Sequence, residues 1–221
     1  MERKEILAPL NLAVYQDDEL YCFTSDAILL SEFTRVKKGD IVADFCSGCG
    51  IVGFNLLGLN KDKIKTLNLF EMQTPLYNLA LKSIEENNLS NIVKANNCRL
   101  QDIDNEFNGK FSLITCNPPY MAVGKGFIDE KDAIAMCKAE VTLSLEELVK
   151  AFSKCLKYGG RVNLVHRADR LCEVISALQK NNIEPKRIQF VSGSNKQPYL
   201  FLMEAVKGGK TGVKIEKTII N

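Results

Sequence analysis

From Asp40 to Lys207, short apolar runs alternate with amphipathic stretches, and this alternation constrains the fold more than any other property of the chain. "DIVADFC" (Asp40–Cys46) reads as a buried strand and "GIVGFNLLGLN" (Gly50–Asn60) as a helix. "IKTLNLFE" (Ile64–Glu71) is a strand, and "TPLYNLALKSIEENN" (Thr74–Asn88) a helix with Thr74 as N-cap and Pro75 at its first position. Strands follow at Asn91–Asn97 and Phe111–Cys116. A helix at Ser144–Gly160 has Ser144 and Glu147 at capping-box spacing and Gly159-Gly160 as its stop. The strand Arg161–His166, a helix over "RADRLCEVISALQKNN", and two strands, "PKRIQFVS" and Pro198–Lys207, close the series. Strands separated by helices pair parallel, with helices on both faces. The last two strands have no helix between them and are expected to pair antiparallel at one edge. One α/β domain over residues 40–221 results, preceded by a segment, residues 1–39, that lies across it.

Composition excludes some classes. The chain has 221 residues, 46% of them hydrophobic, which is enough for a full core without staples. No apolar run approaches the ~18 residues of a membrane span. The N-terminus, "MERKEILAPLNLAVYQDDEL", lacks the long apolar core of a secretory signal. A cytoplasmic protein is expected, with no membrane contact and no obligate protein partner. Eight cysteines in such a chain are read as reduced and mostly buried. Cys46 and Cys49 stand at C-x-x-C spacing, but a zinc site needs further ligands and His166 is the only histidine. No metal is expected.

Two segments carry chemistry. In "ADFCSGCGIVG", Gly48 and Gly50 allow a tight turn between strand and helix and let a ligand approach the backbone. The helix N-terminus offers free N–H groups at the edge of a parallel sheet where ligands bind. Asp44 disfavours a pyrophosphate there and suits an ammonium or sulfonium group. Glu71 ends the second strand and can accept hydrogen bonds from a ribose diol. Alone, this pattern leaves a nicotinamide dinucleotide as a rival, and a plain tight turn as another.

The second segment is Asn117-Pro118-Pro119-Tyr120, at the end of "LITC". The prolines stop the strand and fix the backbone, so the Asn117 amide and the Pro118 carbonyl keep set directions. Two convergent acceptors beside a ring suit a planar –NH2 group: each acceptor takes one hydrogen, and Tyr120 stacks on the substrate plane. An amine conjugated to a heteroaromatic ring is a poor nucleophile, and drawing on both hydrogens localises its lone pair.

"VADFCSGCG", Phe70-Glu71 and "LITCNPPY" together resemble the class I S-adenosylmethionine-dependent methyltransferases that act on amino groups, a Rossmann-like fold with a seven-stranded sheet. "YQDDELYCFTSDAILLSEF", "LVHRADRLCEVISALQKNNIEPKRIQFV" and "EAVKGGKTGVKI" are similar to the bacterial tRNA1(Val) adenine-37 N6-methyltransferases within that group. The resemblance covers almost the whole chain. It implies methyl transfer from S-adenosylmethionine to adenine N6 in tRNA, leaving S-adenosylhomocysteine. It implies that Asp44, Ser47, Gly48 and Gly50 contact the cofactor's methionine part, Glu71 the ribose and Met72 the adenine. Ser25 and Asp26 would close over the cofactor, and Asn117 to Tyr120 would bind the flipped adenine. The family usually places an aspartate after the third strand; here Cys98 stands there, so Asn97, the backbone or a nearby carboxylate has to take that contact. Cys137-Lys138-Ala139-Glu140 also departs from the family's arginine–histidine–glutamate run.

The formal net charge is only +2, so an RNA footprint depends on how the charges are distributed. Candidates are Lys125, His166, Arg167, Arg170, Lys207 and Lys210, with Lys186, Arg187, Lys214 and Lys217 nearby in sequence. A catalytic role for His166 is not expected, because the amine loses its proton only after it has become cationic. Competing readings are an rRNA amino-methyltransferase, a protein glutamine methyltransferase, and a non-catalytic RNA-binding module. The short N-terminal segment argues against the protein methyltransferase.

Overall fold

The structure, a computed structural model, describes residues 2–7, 11–20, 25–118 and 143–221. Two strands, β1 (Glu2–Leu7) and β2 (Leu12–Asp17), form an antiparallel hairpin. Helix α1 (Ser25–Phe33) follows. Then come β3 (Asp40–Phe45), α2 (Ile51–Leu59), β4 (Ile64–Glu71), α3 (Thr74–Glu86), β5 (Val93–Asn97) and β6 (Phe111–Cys116). After residue 142 come α4 (Leu145–Cys155), β7 (Leu156–Arg167), α5 (Leu171–Lys180), β8 (Ile183–Ser192) and β9 (Pro198–Lys207). Short strands β10 (Lys214–Ile215) and β11 (Ile219–Ile220) end the chain.

The main sheet has the order β10-β8-β9-β7-β6-β3-β4-β5, with β11 also paired to β8. Strands β3 to β7 run parallel. Alternate residues enter different cores because successive side chains point to opposite faces. Leu69, Leu113 and Leu202 join the layer of α1, α2 and α3, with Leu30, Phe54 and Leu79. Phe70, Ile114 and Phe201 join the layer of α4 and α5, with Phe152 and Val174. On that second face Phe45, Phe107 and Phe111 surround Phe70, each with its ring edge-on to it at 5.2 to 5.9 Å. With both faces covered, the central strands lack the polar alternation of a half-exposed sheet.

Local chemistry sets the helix ends. The Ser144 hydroxyl accepts from the Glu147 N–H and Glu147 accepts from the Ser144 N–H, so the capping box opens α4. That helix ends at Cys155, ahead of Gly159-Gly160, which lie inside β7; the register shift between β6 and β7 absorbs the extra residues. The N-cap of α3 is Gln73, and Thr74 is already helical.

The sequence places the antiparallel strand at the edge. In the structure β8 and β9 do pair antiparallel, but β9 lies one strand in, bonded to β7 on its other side. Leu200 to Met203 are buried, and a strand that deep needs partners for its backbone on both sides. The outer edge of β8 is covered in turn by β10 and β11.

The first 39 residues split between two places. The hairpin docks on α3, where the Asn87 side chain bonds both backbone groups of Ala13 and the Ser83 hydroxyl accepts from the Tyr15 N–H. Helix α1 packs on α2, β7 and β9. Its C-terminal end is held by the buried Arg187, which donates to the Phe33 carbonyl and lies 3.7 Å over the Phe33 ring.

Candidate active site

The chain reverses direction across the sheet between β3 and β6. One series runs β3, β4, β5; the other runs β6, β7. Ligands of open α/β sheets bind at the carboxyl ends of the strands beside this switch point. The glycine loop after β3, Glu71 and Met72 after β4, Asn97 and Cys98 at the end of β5, Asn117-Pro118 after β6, and His166-Arg167 at the end of β7 all lie along this edge.

Positive φ angles at Cys46, Gly48 and Gly50 fold the loop back onto itself, and the Gly50 N–H donates to the Ser47 carbonyl at 2.8 Å. A side chain on Gly48 would meet nothing within 4 Å, so this glycine borders open space. Gly50 serves a different purpose: a Cβ there would come within 2.6 Å of the Phe54 ring. Its missing side chain lets α2 pack against the strands. Its Cα side faces Phe54 and Leu69, which leaves its backbone as the part that could contact a cofactor.

Glu71 is buried and holds the loop. One carboxylate oxygen accepts from the Gly48 N–H and the other from the Gln73 N–H, each at 2.8 Å. Burial pushes its pKa up. Asp44, expected to face a cationic ligand, is turned beneath the loop with 1% exposure. It accepts from the Thr115 hydroxyl at 2.7 Å and from the Gly53 N–H at 3.1 Å. Burial is the main reason its pKa is pushed up to about 7, and the Glu71 charge adds to it. Thr115 went unnoticed in the sequence. It sits directly across from Asp44 in the β3–β6 register and two residues before Asn117, so one hydroxyl ties the glycine loop's strand to the strand bearing Asn117.

Asn97 is engaged in joining strand ends: its amide donates to the carbonyls of Glu71 and Met72, and its oxygen accepts from Thr74. Met72 is 40% exposed. Cys98 is half-buried, and burial with the nearby Asp102 raises its pKa, so it stays a neutral thiol. Asn117 is half-buried and Pro118 buried. Pro119, Tyr120 and Lys125, with Cys137 to Glu140, lie outside the described residues. Ser25 and Asp26 open α1; Asp26 lines a cleft beyond β7 together with Arg167, Asp169, Pro198, Tyr199 and Leu200.

The expected basic footprint divides. His166 is buried, and desolvation lowers its pKa to about 4, so it is neutral and has no reach to a phosphate. Arg167 is clamped by Asp169 at 3.1 and 2.6 Å, and Arg170 pairs with Glu173. Because β9 runs antiparallel, its last residue, Lys207, emerges at the opposite edge of the sheet from the glycine loop. There its ammonium donates to the Ser153 and Leu156 carbonyls at the end of α4. Lys210 lies just beyond, on that far side. Arg187 is buried. Of His166, Arg167, Arg170, Lys207 and Lys210, the two that carry a charge at this end of the sheet are Arg167 and Arg170.

The loop-and-switch-point arrangement is that of the methyltransferase fold. A solved structure of a predicted O-methyltransferase from Agrobacterium tumefaciens superposes with a TM-score of 0.69 at 16% identity, covering 88% of this chain and 86% of that one. The chain matches the methyltransferase small domain family over residues 14–184 and belongs to it. A tRNA1(Val) (adenine(37)-N6)-methyltransferase from Parabacteroides distasonis is 23% identical over 168 residues, 76% of this chain and 69% of the relative. A release factor glutamine methyltransferase from Mycoplasma mycoides is 31% identical over 112 residues, 48% of this chain and 39% of that protein.

Proposed function

We propose that the protein methylates the N6 amine of an adenine in tRNA, adenine 37 of tRNA1(Val), using S-adenosylmethionine. The observation that carries this reading is the placement of Asn117-Pro118 directly after β6, the strand joined through Thr115 and Asp44 to the first turn of α2 behind the glycine loop. The Parabacteroides relative supports the choice of substrate.

The residues fit the cofactor. The Ser47 hydroxyl is buried with no hydrogen-bond partner, at the mouth of a loop where Gly48 borders open space. It would bond the methionine part, with loop N–H groups at its carboxylate. A carboxylate offers about four lone-pair positions. Glu71 spends lone pairs on the backbone N–H groups of Gly48 and Gln73, with a further backbone contact from Met72, and would turn what remains to a ribose diol. Met72, exposed at the strand end, would pack on the adenine. Bound there, S-adenosylmethionine supplies an electrophilic methyl group on sulfur. Asp44 acts from beneath the loop by shaping the first turn of α2 and by its charge. Asn117 and the Pro118 carbonyl accept the two hydrogens of the target amine and aim its lone pair. The adenine has to leave its stack to reach them. The N-terminal segment, with Asp26 at the start of α1, would close one side of the site.

Asp44 gives the reading a pH signature. A cationic ligand favours the ionised carboxylate, whereas the carboxyl of the ligand-free protein holds its proton up to about pH 7. Below that pH, binding must also expel the proton. Cofactor affinity measured by calorimetry is therefore expected to rise between about pH 5.5 and 7.5 and then level off. An Asp44→Asn variant should show a flat profile over the same range.

A second reading, methylation of a protein glutamine, is favoured by the Mycoplasma relative, since a carboxamide nitrogen suits the same acceptors. One experiment separates the two. The protein is given labelled cofactor with an unmodified valine tRNA transcript, then with a release factor, and products are read by mass spectrometry. N6-methyladenosine in the tRNA supports the proposal; label only in the protein replaces it with the second reading.

A further inference from the structure

The cleft beyond β7 has a volume of about 460 Å³ and is lined by Asp26, Arg167, Asp169, Pro198, Tyr199 and Leu200. We propose that it seats an unstacked nucleobase flanking the target adenine, with Tyr199 as the stacking platform; this rests on the RNA substrate argued above.

Position is the first argument. The β6–β7 register pairs Cys116 with Leu164, so Asn117 and the end of β7 leave the sheet side by side. Neighbouring strands are about 5 Å apart, so β7 lies one spacing and β9 two spacings, about 10 Å, from β6, a span that an extended nucleotide and its unstacked base can bridge. The antiparallel β9 begins at the same edge and delivers Pro198 and Tyr199 there, with Arg167 across from Leu200. A base drawn into the Asn117 site therefore leaves its neighbour over the cleft.

The lining is the second argument. Tyr199 is 45% exposed, and its hydroxyl accepts from the Asn221 side-chain amide at 3.0 Å. That bond holds the ring in place before RNA arrives, so stacking costs little side-chain entropy. Base–aromatic stacking tolerates any base, since each has a π-face.

Charge is the third. Two carboxylates face one guanidinium, and Arg167 already donates twice to Asp169. The Arg167 contact holds the Asp169 carboxyl below its usual range, so Asp169 stays ionised. His166 at the end of β7 is neutral and adds no positive charge. A phosphate is repelled by this balance. A base edge is not: carboxylates accept from the exocyclic amines of adenine, cytosine or guanine, and a guanidinium meets ring acceptors.

The chain contains no tryptophan, so a Tyr199→Trp variant carries a single reporter at the cleft. Titration with the unmodified valine tRNA transcript should quench its emission saturably. Tyr199→Ala should raise KM for the transcript about tenfold with cofactor affinity unchanged, and Tyr199→Phe, which keeps the ring but loses the Asn221 bond, should fall between it and the wild type. The tenfold factor should be the same at low and high salt, because stacking releases no counterions. Methylation of the transcript with no change in Tyr199→Trp emission overturns the cleft assignment and leaves the tRNA reading standing. A transcript that neither quenches nor is methylated overturns both.

Discussion

Asn117→Ala is expected to bind S-adenosylmethionine as the wild type does and to transfer its methyl group about a thousandfold more slowly. The residue follows β6 directly, and the strand's ladder fixes where it emerges. Pro118 is buried behind it, so the short segment cannot swing to compensate. An adenine amine shares its lone pair with the ring, and a methyl acceptor must offer that pair in line with the breaking bond. Removing one of two acceptors relaxes the geometry and the polarisation together, effects worth several powers of ten when combined. Cofactor affinity should hold because the loop is fixed through Glu71 and Asp44, whose donors are the Gly48, Gln73 and Gly53 N–H groups and the Thr115 hydroxyl. Single-turnover transfer of labelled methyl, alongside calorimetry, separates the two steps. Turnover at the wild-type rate in the variant would remove Asn117 from the chemistry.

Features carried by neighbours in the chain were legible in the sequence; features carried by strand pairing were not. The bounds of β4, β6 and β9 and the capping box of α4 follow from local patterns of apolar residues, prolines and caps. Nothing local to "PYLFLMEAVK" tells it to insert between two strands, and that insertion reverses where its ends lie. Lys207 reads as a neighbour of Arg167 only if the strand direction is ignored. For the same reason Thr115 looked like an ordinary strand residue: its role depends on being opposite Asp44, 71 positions earlier. The two acids of the site were visible by type and spacing, but their rotamers were not. Asp44 lies in a strand buried on both faces, and the nearest partners for its charge are a helix N–H and a hydroxyl, so it turns inward. Hairpin β1–β2 was missed because its stability comes from docking on α3.

Glu71→Ala should lower affinity for S-adenosylmethionine at least about a hundredfold while leaving the fold intact. The carboxylate holds both sides of the site, accepting from Gly48 in the glycine loop and from Gln73 at the N-cap of α3. Its loss leaves two backbone donors without their partner and frees a loop whose turn depends on Gly48 keeping a positive φ. It also removes the charge-assisted bonds open to a ribose diol, each worth about 1.5–3 kcal/mol. Stability should change less than affinity. Burial of this carboxylate carries a desolvation penalty that the variant no longer has, which offsets part of the lost hydrogen bonding. Glu71→Gln keeps one acceptor but points an amide N–H at a backbone N–H, and should retain little of the lost affinity. The charge also acts on Asp44, whose pKa it helps to raise. Without it, the rise of cofactor affinity with pH should shift to lower pH. A Glu71 that only holds the loop would cost S-adenosylmethionine and an analogue lacking the ribose hydroxyls the same factor in affinity; calorimetry with both ligands, paired with melting curves, distinguishes that outcome from ribose recognition.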